Sequence, residues 1–416
     1  MRLKGFSSKL AMLLALAVVA MAGTAPSAGA DVVKLGVMAP LTGPNASDGQ
    51  EFVRGVQWAV DEANAKGGIA GHTFEIVVAD VKDHSAANVT SAAERLLGTD
   101  GVEAILTGYA SFTMFEVDLM AEADMPYLAA GPSPGFAAIV RPDPDYYWCC
   151  WSYTADFKGY ETELLPTVEG LAADGKITLR NRKVAIISSD NAYSKTISEG
   201  MKAVFTKGGW TITVDELVPF GEVSDWRSTL AKVRQDPPDL VVNTDYLPGN
   251  AALFVKQFLE NPTDSVVFLQ YAPSVPEFVK LTGDTSTGIL YNLIGGPLDS
   301  PKWPRAPKLL QAFKDKYGVD SGTYGVGLYE MTNMYFAALE QVGDPTKRKE
   351  IGLALGQMQV ETVAGNIAFD PATHVALQDN DHVPVSFWQI WDGKRVLVAP
   401  EKFSNAEFRL PPWMTK

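Results

Sequence analysis

Residues 33–68 read VKLGVMAPLTGPNASDGQEFVRGVQWAVDEANAKGG, and this stretch predicts one strand, one turn and one helix. Apolar residues alternate at its start and then recur at the three-to-four-residue spacing of a helix that packs on a sheet. Ser47 is followed three residues later by Gln50, the pattern of a capping box, which places the helix start at Ser47. Gly67 and Gly68 supply the left-handed conformation at which a helix ends. The stretch is therefore the first strand–helix unit of an α/β domain.

Residues 1–30 have the pattern of an export signal. Basic residues come first, an apolar run occupies residues 10–22, and residues 28–30 (AGA) fit a cleavage site. The apolar run is shorter than the roughly 20 residues that cross a bilayer, and no cysteine near the cleavage site would carry a lipid anchor. We therefore predict a periplasmic protein without stable membrane insertion.

The charge of the chain disfavours partners that need a basic surface. The chain has 35 basic and 49 acidic residues, and three of the basic ones lie in the signal, so the remainder has a net charge near −17. Nucleic acids bind basic footprints, so no nucleic-acid partner is expected. The 386 residues after the signal exceed what one hydrophobic core usually serves, which favours two lobes.

The two cysteines, Cys149 and Cys150, are neighbours and cannot join distant segments. They either close on each other in a vicinal disulfide or remain thiols, and the sequence leaves both alternatives open. Aromatic residues surround them, so the sequence offers no neighbouring basic group that would activate a thiol for redox chemistry.

Strand-like and helix-like segments alternate along most of the chain. One series covers residues 33–130 and a second covers residues 184–292, while three helical segments and three short strands follow. Such alternation predicts parallel sheets with helices on both faces. The fold class is therefore α/β.

Two motifs in the opening unit carry a resemblance to a known family. Residues 40–44 (PLTGP) and residues 64–69 (NAKGGI) resemble the start of the branched-chain amino-acid-binding proteins, the Leu/Ile/Val-binding type of periplasmic receptor for ABC importers. The resemblance implies the type I periplasmic-binding fold, with two Rossmann-like lobes joined by a multi-strand hinge. Lobe 1 would hold residues 31–150 and 300–365, and lobe 2 residues 151–299 and 366–416. It also implies a monomer that binds a small molecule, needs no cofactor and delivers its ligand to an inner-membrane ABC permease.

The resemblance places part of the ligand site after two strands of lobe 1. Residues 108–113 (GYASFT) match a segment in which the family grips the ligand carboxylate with a hydroxyl and a backbone N–H, although Phe112 stands where the family has a serine. Residues 129–135 (AAGPSPG) match a second such segment, in which Pro132 and Pro134 remove two N–H donors. Helix capping by the hydroxyls is the alternative interpretation of the first segment.

The resemblance places the other part of the site in lobe 2. Tyr193 and Tyr246 match two family tyrosines, and the alternative is that both are ordinary core residues. Amino-acid-binding members often have a glutamate in the segment after the strand at 266–270, but this chain has Tyr271 there and no acid until Glu277. Asp48 is the candidate replacement; its alternative role is a negative charge at a helix N-terminus.

Five of the eight residues at 146–153 (YYWCCWSY) are aromatic. They either pack the hinge or form an aromatic wall or cage that includes Trp151, which would suit an aromatic ligand or a quaternary ammonium group. The predicted ligand-binding residues are Asp48, Tyr109, Ser111, Thr113, Ala130, Gly131, Ser133, Trp151, Tyr193, Tyr246 and Tyr271.

No pattern in the sequence supports an enzyme. Residues 189–191 (SDN) match one β-lactamase element without its partners, and the four histidines fit no zinc motif, so neither a catalytic nor a metal site is predicted. We predict a receptor that closes over an amino-acid-like ligand or a small or aromatic carboxylate. The alternatives are an amide-, urea- or betaine-type receptor, a sensory receptor of the same fold, and, more remotely, a hydrolase.

Overall fold

The computed structural model describes residues 31–415, so the predicted export signal lies outside the described residues. The strands are β1 (Val32–Ala39), β2 (Thr73–Asp80), β3 (Ala104–Thr107), β4 (Tyr127–Ala129), β5 (Cys150–Ser152), β6 (Lys183–Ser189), β7 (Thr211–Val218), β8 (Leu240–Asn243), β9 (Val266–Leu269), β10 (Leu290–Ile294), β11 (Gln359–Thr362), β12 (Gly365–Ala368), β13 (Val385–Trp391) and β14 (Lys394–Ala399). The helices are α1 (Ala46–Ala65), α2 (Ala86–Arg95), α3 (Glu116–Glu122), α4 (Pro134–Val140), α5 (Lys158–Thr162), α6 (Leu164–Ala173), α7 (Ala192–Lys207), α8 (Arg227–Gln235), α9 (Pro248–Leu259), α10 (Pro276–Thr282), α11 (Arg305–Tyr317), α12 (Tyr324–Val342) and α13 (Arg348–Gly356).

The first lobe is built on a five-stranded parallel sheet in the order β2-β1-β3-β4-β5. Adjacent residues of a strand point to opposite faces, and the core follows that rule. Leu106 belongs to the cluster that includes α1 and α12, whereas Ile105 belongs to the cluster that includes α2 and α3. Helix α12 approaches α1 so closely that a Cβ at Gly55 would lie 2.3 Å from the carbonyl oxygen of Gly325.

The second lobe is built on a seven-stranded sheet in the order β14-β13-β10-β9-β8-β6-β7. The strands β6 to β10 are parallel, and β13 and β14 from the tail add antiparallel strands at one edge. Both sheets are covered by helices, so the α/β two-lobed fold predicted from the sequence is confirmed. No helix among residues 31–415 is long and apolar enough to cross a membrane.

The segments at which the chain passes from one lobe to the other are joined by backbone hydrogen bonds. Ser152 at the end of β5 donates its N–H to the carbonyl of His374 at 2.9 Å, and the N–H of Leu298 bonds the carbonyl of Val363 at 2.8 Å. The predicted lobe boundaries stay a prediction, but β5 crosses the one proposed between residues 150 and 151. Sequence patterns missed β5 because Cys150–Ser152 (CWS) lacks the run of aliphatic residues that marks most other strands.

The opening unit differs from its prediction at the start of the helix. The helix begins at Ala46 after Asn45, and no side chain caps it, so the predicted capping box is wrong. Ser47 instead donates its hydroxyl to Glu277 of the second lobe at 2.8 Å, a long-range partner that a local pattern does not reveal. The predicted helix end is confirmed, since Gly67 and Gly68 have φ angles of 97° and 91°.

The cysteines are both fully buried thiols. The Sγ atoms of Cys149 and Cys150 lie 3.4 Å apart, beyond the length of a disulfide bond. Burial is the first cause that raises the pKa of Cys150 well above its ordinary value, and the neighbouring thiol adds to it. Both thiols are therefore packed in the hydrophobic core.

Candidate functional site

A cavity lies between the two lobes, beyond the carboxyl ends of their strands, where α/β sheets bind ligands. The first lobe contributes the loops after β3 and β4, and the second contributes the start of α7 and the loops after β8 and β9. The space between the atoms, counted together with the open solvent at the mouth, is about 560 Å³. It is lined by Tyr109, Ser111, Phe112, Met114, Gly131, Pro132, Ser133, Phe157, Tyr160, Tyr193, Tyr246, Tyr271, Ile294, Thr323 and Tyr324.

The wall of the cavity is mostly aromatic. Eight of its fifteen lining residues are Tyr or Phe, and none is Lys, Arg, His, Asp or Glu. The rings meet across the lobes, because Phe112 of the first lobe lies 5.9 Å from Tyr246 of the second, centroid to centroid. Tyr246 in turn meets Tyr193 edge to face at 5.3 Å. The lining is therefore uncharged and rich in ring surface and phenol groups.

A carboxylate lies directly behind this wall. Asp48, in the first turn of α1, is 6% exposed, and its Oδ2 accepts hydrogen bonds from Tyr109 at 2.7 Å and Tyr271 at 2.9 Å. Burial raises its pKa from 3.8 to about 7, with the nearby charge of Glu51 adding to the rise, while the two phenol hydrogen bonds lower it. Tyr271 belongs to the second lobe, so Asp48 ties the two lobes together.

Tyr271 makes this bond from an uncommon backbone conformation. Its φ of 62° and ψ of −52° are those of a γ-turn with positive φ, a rare and strained turn in which the N–H of Ala272 bonds the carbonyl of Gln270 at 2.7 Å. Such conformations persist where surrounding contacts fix them, often at ligand sites. The bond to Asp48 and the buried position of the ring supply contacts of that kind here.

Ser111, predicted to bind the ligand carboxylate, already donates its hydrogen bonds to a carboxylate of the protein. Ser111 donates its hydroxyl to Oε2 of Glu116 at 2.5 Å and its N–H to Oε1 at 3.2 Å. Tyr127 donates to the same carboxyl group at 3.0 Å, and Glu116 is fully buried. Burial raises the pKa of Glu116, and the hydrogen bonds from Ser111 oppose that rise. Neither the hydroxyl proton nor the N–H of Ser111 is left for a ligand.

The loop after β4 offers one free hydroxyl rather than a row of N–H groups. The N–H groups of Ala130 and Gly131 bond the carbonyls of Thr107 and Gly108. Ser133 caps α4 by accepting the N–H of Gly135 at 3.1 Å, so its own proton can point to a ligand.

Tyrosine hydroxyls of the second lobe remain able to donate. Tyr193 accepts a hydrogen bond from the Gln270 amide at 3.2 Å, and Tyr160 accepts the N–H of Ile294 at 2.9 Å. The two hydroxyls also interact with each other, so at least one of the two phenol protons remains for another acceptor. The buried hydroxyl of Tyr246 makes no hydrogen bond within 3.5 Å among the described residues, although the Asn45 side chain lies near enough to oppose the rise of its pKa. A buried phenol without a partner is a site at which a ligand atom would be favourable.

Comparison with known proteins identifies the family to which this two-lobed fold belongs. Residues 32–386 match the sequence model of the periplasmic binding protein family. This chain belongs to the periplasmic binding protein family. The predicted family resemblance is thereby confirmed, and it extends over both lobes and the connections between them.

Relatives of this periplasmic binding protein include transporter components. Leu/Ile/Val-binding protein homolog 7 of Brucella abortus is 26% identical, with 96% of this chain and 99% of the relative covered. A putative branched-chain amino acid ABC transporter protein from Silicibacter pomeroyi is 32% identical, with 92% and 100% covered and a TM-score of 0.82. A solute-binding protein from R. palustris, solved in complex with benzoate, shares the fold at 19% identity, a TM-score of 0.71, and 91% and 99% coverage.

The structure of this binding protein brings most of the predicted site residues together. Seven of the eleven predicted residues line the cavity, namely Tyr109, Ser111, Gly131, Ser133, Tyr193, Tyr246 and Tyr271. Asp48 lies one hydrogen bond behind the wall. Thr113 is near Ser111, with 3.4 Å between their hydroxyl oxygens, and neither it nor Ala130 lines the cavity. The ligand role of these residues stays a prediction.

Trp151 does not line the cavity, and its contacts favour hinge packing, one of the two alternatives for residues 146–153. Its ring stacks on His374 at 3.9 Å, and its indole N–H bonds the carbonyl of Trp148 at 3.0 Å. The Trp151 side chain, at the centre of β5, therefore packs against other residues of the hinge. A run of aromatic residues in the sequence does not show on which face of a short strand each ring lies.

Several lining residues were missed by the sequence analysis. Phe157 and Tyr160 lie at the start of α5, and Tyr324 begins α12. The spacing of Phe157 and Tyr160 at one helical turn was a usable signal, but nothing local marked α5. Tyr324 reaches the cavity only because α12 packs on α1, which is a long-range contact.

Proposed function

We propose that this protein is the extracytoplasmic solute-binding subunit of an ABC importer. It binds a small solute between its lobes, without catalysis, and presents the closed form to an inner-membrane permease. The observation that carries the proposal is the uncharged cavity whose wall comes from both lobes and whose backing residue, Asp48, bonds Tyr271 of the opposite lobe.

Closure follows from the same contacts. A ligand shifts an open–closed equilibrium only by binding the closed form more tightly. A solute resting on Tyr109 and Phe112 of the first lobe meets Tyr193 and Tyr246 of the second only when the lobes are together, as the contact between Phe112 and Tyr246 requires. These second-lobe contacts therefore supply the free energy of closure.

The proposed ligand has an apolar or aromatic body and few polar groups. The aromatic lining supports that body, and the phenol groups of Tyr160, Tyr193 and Tyr246 with the hydroxyl of Ser133 support one acceptor group such as a carboxylate. An amino-acid-like ligand fits these limits, although the hydroxyl of Ser111 donates to Glu116 and cannot donate to the ligand carboxylate. Two solved proteins that share this fold hold small ligands with a carboxylate, benzoate in the R. palustris protein and isoleucine in a substrate-binding protein from Streptococcus pneumoniae.

A thermal-shift screen tests the proposal. The purified protein is heated with amino acids, aromatic acids, amides, urea and betaines at millimolar concentration. We expect at least one solute to raise the melting temperature, because a ligand at about 100 times its Kd stabilises the folded state by about 2.7 kcal/mol. If no small solute changes the melting temperature, solute binding is wrong as the function of this cavity.

A further inference from the structure

A second cavity lies between the lobes, beside the proposed solute cavity. The space between its atoms, counted together with the open solvent at its mouth, is about 540 Å³. Residues 320–323, which lead into α12 of the first lobe, form one side, and the faces of β10, β13 and β14 form much of the other. Thr323 lines both cavities and donates its hydroxyl to that of Ser274 in the second lobe at 3.2 Å. The second cavity is therefore a separate space that also spans the two lobes.

Three polar side chains around this second cavity have hydrogen-bonding capacity that the protein leaves unused. Tyr291 is 1% exposed, and its hydroxyl makes no hydrogen bond to any described residue. The Asp299 carboxylate likewise has no hydrogen bond or ion pair among residues 31–415. Arg395 donates to the carbonyl of Ser274, and this is its one side-chain bond within the described chain. Buried polar groups are normally paired, so these three groups are places at which a ligand would bond.

The second cavity has one positive and one negative side chain that do not meet. Burial raises the pKa of Asp299, and the nearby positive charge of Arg395 opposes that rise. The two side chains form no ion pair within 4.0 Å, although both line the cavity. A molecule between them can accept hydrogen bonds from the guanidinium at one end and donate to the carboxylate at the other.

The rest of the lining favours a small organic molecule over water alone. The Trp388 ring lies nearly parallel to that of Tyr291, with 6.3 Å between centroids and 19° between planes. Its indole N–H donates to the Ser386 hydroxyl at 2.9 Å, so Trp388 offers only ring surface to an occupant. Leu293 of β10 and Leu310 of α11 add aliphatic surface. Apolar walls with a few convergent polar groups are typical of ligand sites.

We propose that this second cavity binds a small zwitterion, whose carboxylate meets Arg395 and Tyr291 and whose ammonium group meets Asp299. The occupant is a second ligand and not the solute of the first cavity. Because the walls come from both lobes, an occupant also stabilises their closed arrangement. Coupling between binding sites is reciprocal, so each ligand raises the affinity of the other. The coupling rests on the proposed closure of the lobes, whereas the second binding site does not.

Isothermal titration calorimetry with matched probes tests the second site. The protein is first saturated with the solute that most raises its melting temperature, which fills the first cavity. β-Alanine and 4-aminobutyrate carry both charges, while propionate and butyrate lack the ammonium group and ethylamine and propylamine lack the carboxylate. We expect one zwitterion to bind, with one molecule per chain, about tenfold or more tightly than either of its matched halves.

The outcomes separate the second site from the proposed function. If neither zwitterion binds, or if a half binds as tightly as its zwitterion, the inference is overturned while solute binding in the first cavity stands. If no solute fills the first cavity, the proposed function fails by its own screen, and the same titration on the unliganded protein decides the second site.

Variants locate the bound zwitterion. Arg395→Gln should weaken the preferred zwitterion about tenfold or more, and Tyr291→Phe should weaken it to a smaller extent. Neither variant should change the affinity of the first solute measured without the zwitterion. Lys394→Gln removes a charge from an exposed neighbour on β14 and should change neither affinity. If Tyr246→Ala abolishes zwitterion binding to the unliganded protein and Arg395→Gln does not, the zwitterion occupies the first cavity and the inference is overturned.

The coupling between the two cavities has its own measurement. The zwitterion at about 100 times its Kd should lower the Kd of the first solute about fivefold or more. A Kd that stays the same would overturn the coupling.

Discussion

Tyr246→Ala is expected to weaken binding of the cavity solute by about 30-fold or more, since a buried aromatic anchor contributes about 2 kcal/mol or more. The side chain is 5% exposed and lines the cavity. Its ring contacts Phe112 across the lobes and Tyr193 within its own lobe. Its hydroxyl makes no hydrogen bond within 3.5 Å among residues 31–415, so a ligand atom in the cavity can bond it. The measurement is a calorimetric titration of the solute that most raises the melting temperature.

Two further variants separate binding from folding. Tyr246→Phe keeps the ring and should lose only the part of the affinity that comes from the hydroxyl. Tyr146→Ala removes a tyrosine that is 45% exposed and away from the cavity, and should change nothing. A folded Tyr246→Ala protein with unchanged affinity would show that the ligand lies elsewhere. Loss of folding would mark Tyr246 as a core residue, and Tyr193→Ala would then carry the same test.

Glu51→Ala is expected to lower the free energy of unfolding by about 3–5 kcal/mol, because it strips partners from buried polar groups. The carboxylate accepts three backbone N–H groups at the start of α12, from Gly322, Tyr324 and Gly325. Burial raises the pKa of Glu51, while these hydrogen bonds lower it. Alanine would leave the three donors buried without a partner and leave a void at the contact between α1 and α12. Denaturant unfolding followed by circular dichroism measures the change.

Gln50→Ala is the matched control for Glu51→Ala. Gln50 is the exposed neighbour on α1, and its side chain makes only a 3.5 Å contact with Arg54. Its free energy of unfolding should stay within about 0.5 kcal/mol of the unaltered protein. A loss below about 1 kcal/mol for Glu51→Ala would contradict the capping role assigned to this carboxylate.

Much of the fold could be predicted from sequence because its strands are short, buried apolar runs between turn residues. Strands β3 (AILT) and β8 (LVVN) are runs of this kind, and all eight of their residues are buried. Such runs are readable locally, since burial on both faces demands apolar residues throughout. The strand β5 and helices α5 and α6 were missed because they carry no such run or no clear helical period.

The candidate site was predictable only where a family motif marks a strand end. Tyr193 and Tyr246 were found in this way, and both line the cavity. The bonding of Ser111 to Glu116 was not foreseeable, because a hydroxyl in the sequence does not show which acceptor it meets. Tyr324 and Trp151 depend on how α12 and β5 pack against distant segments, which local pattern does not encode.

The central claim is that the lobes close on a solute held between them. Small-angle X-ray scattering tests it with the solute that most raises the melting temperature. We predict that solute at about three times its Kd lowers the radius of gyration of the unaltered protein, whereas the same concentration leaves Tyr246→Ala, with its roughly 30-fold weaker binding, nearly unchanged. A radius of gyration that stays the same while calorimetry shows the unaltered protein fully bound would contradict closure as the mechanism.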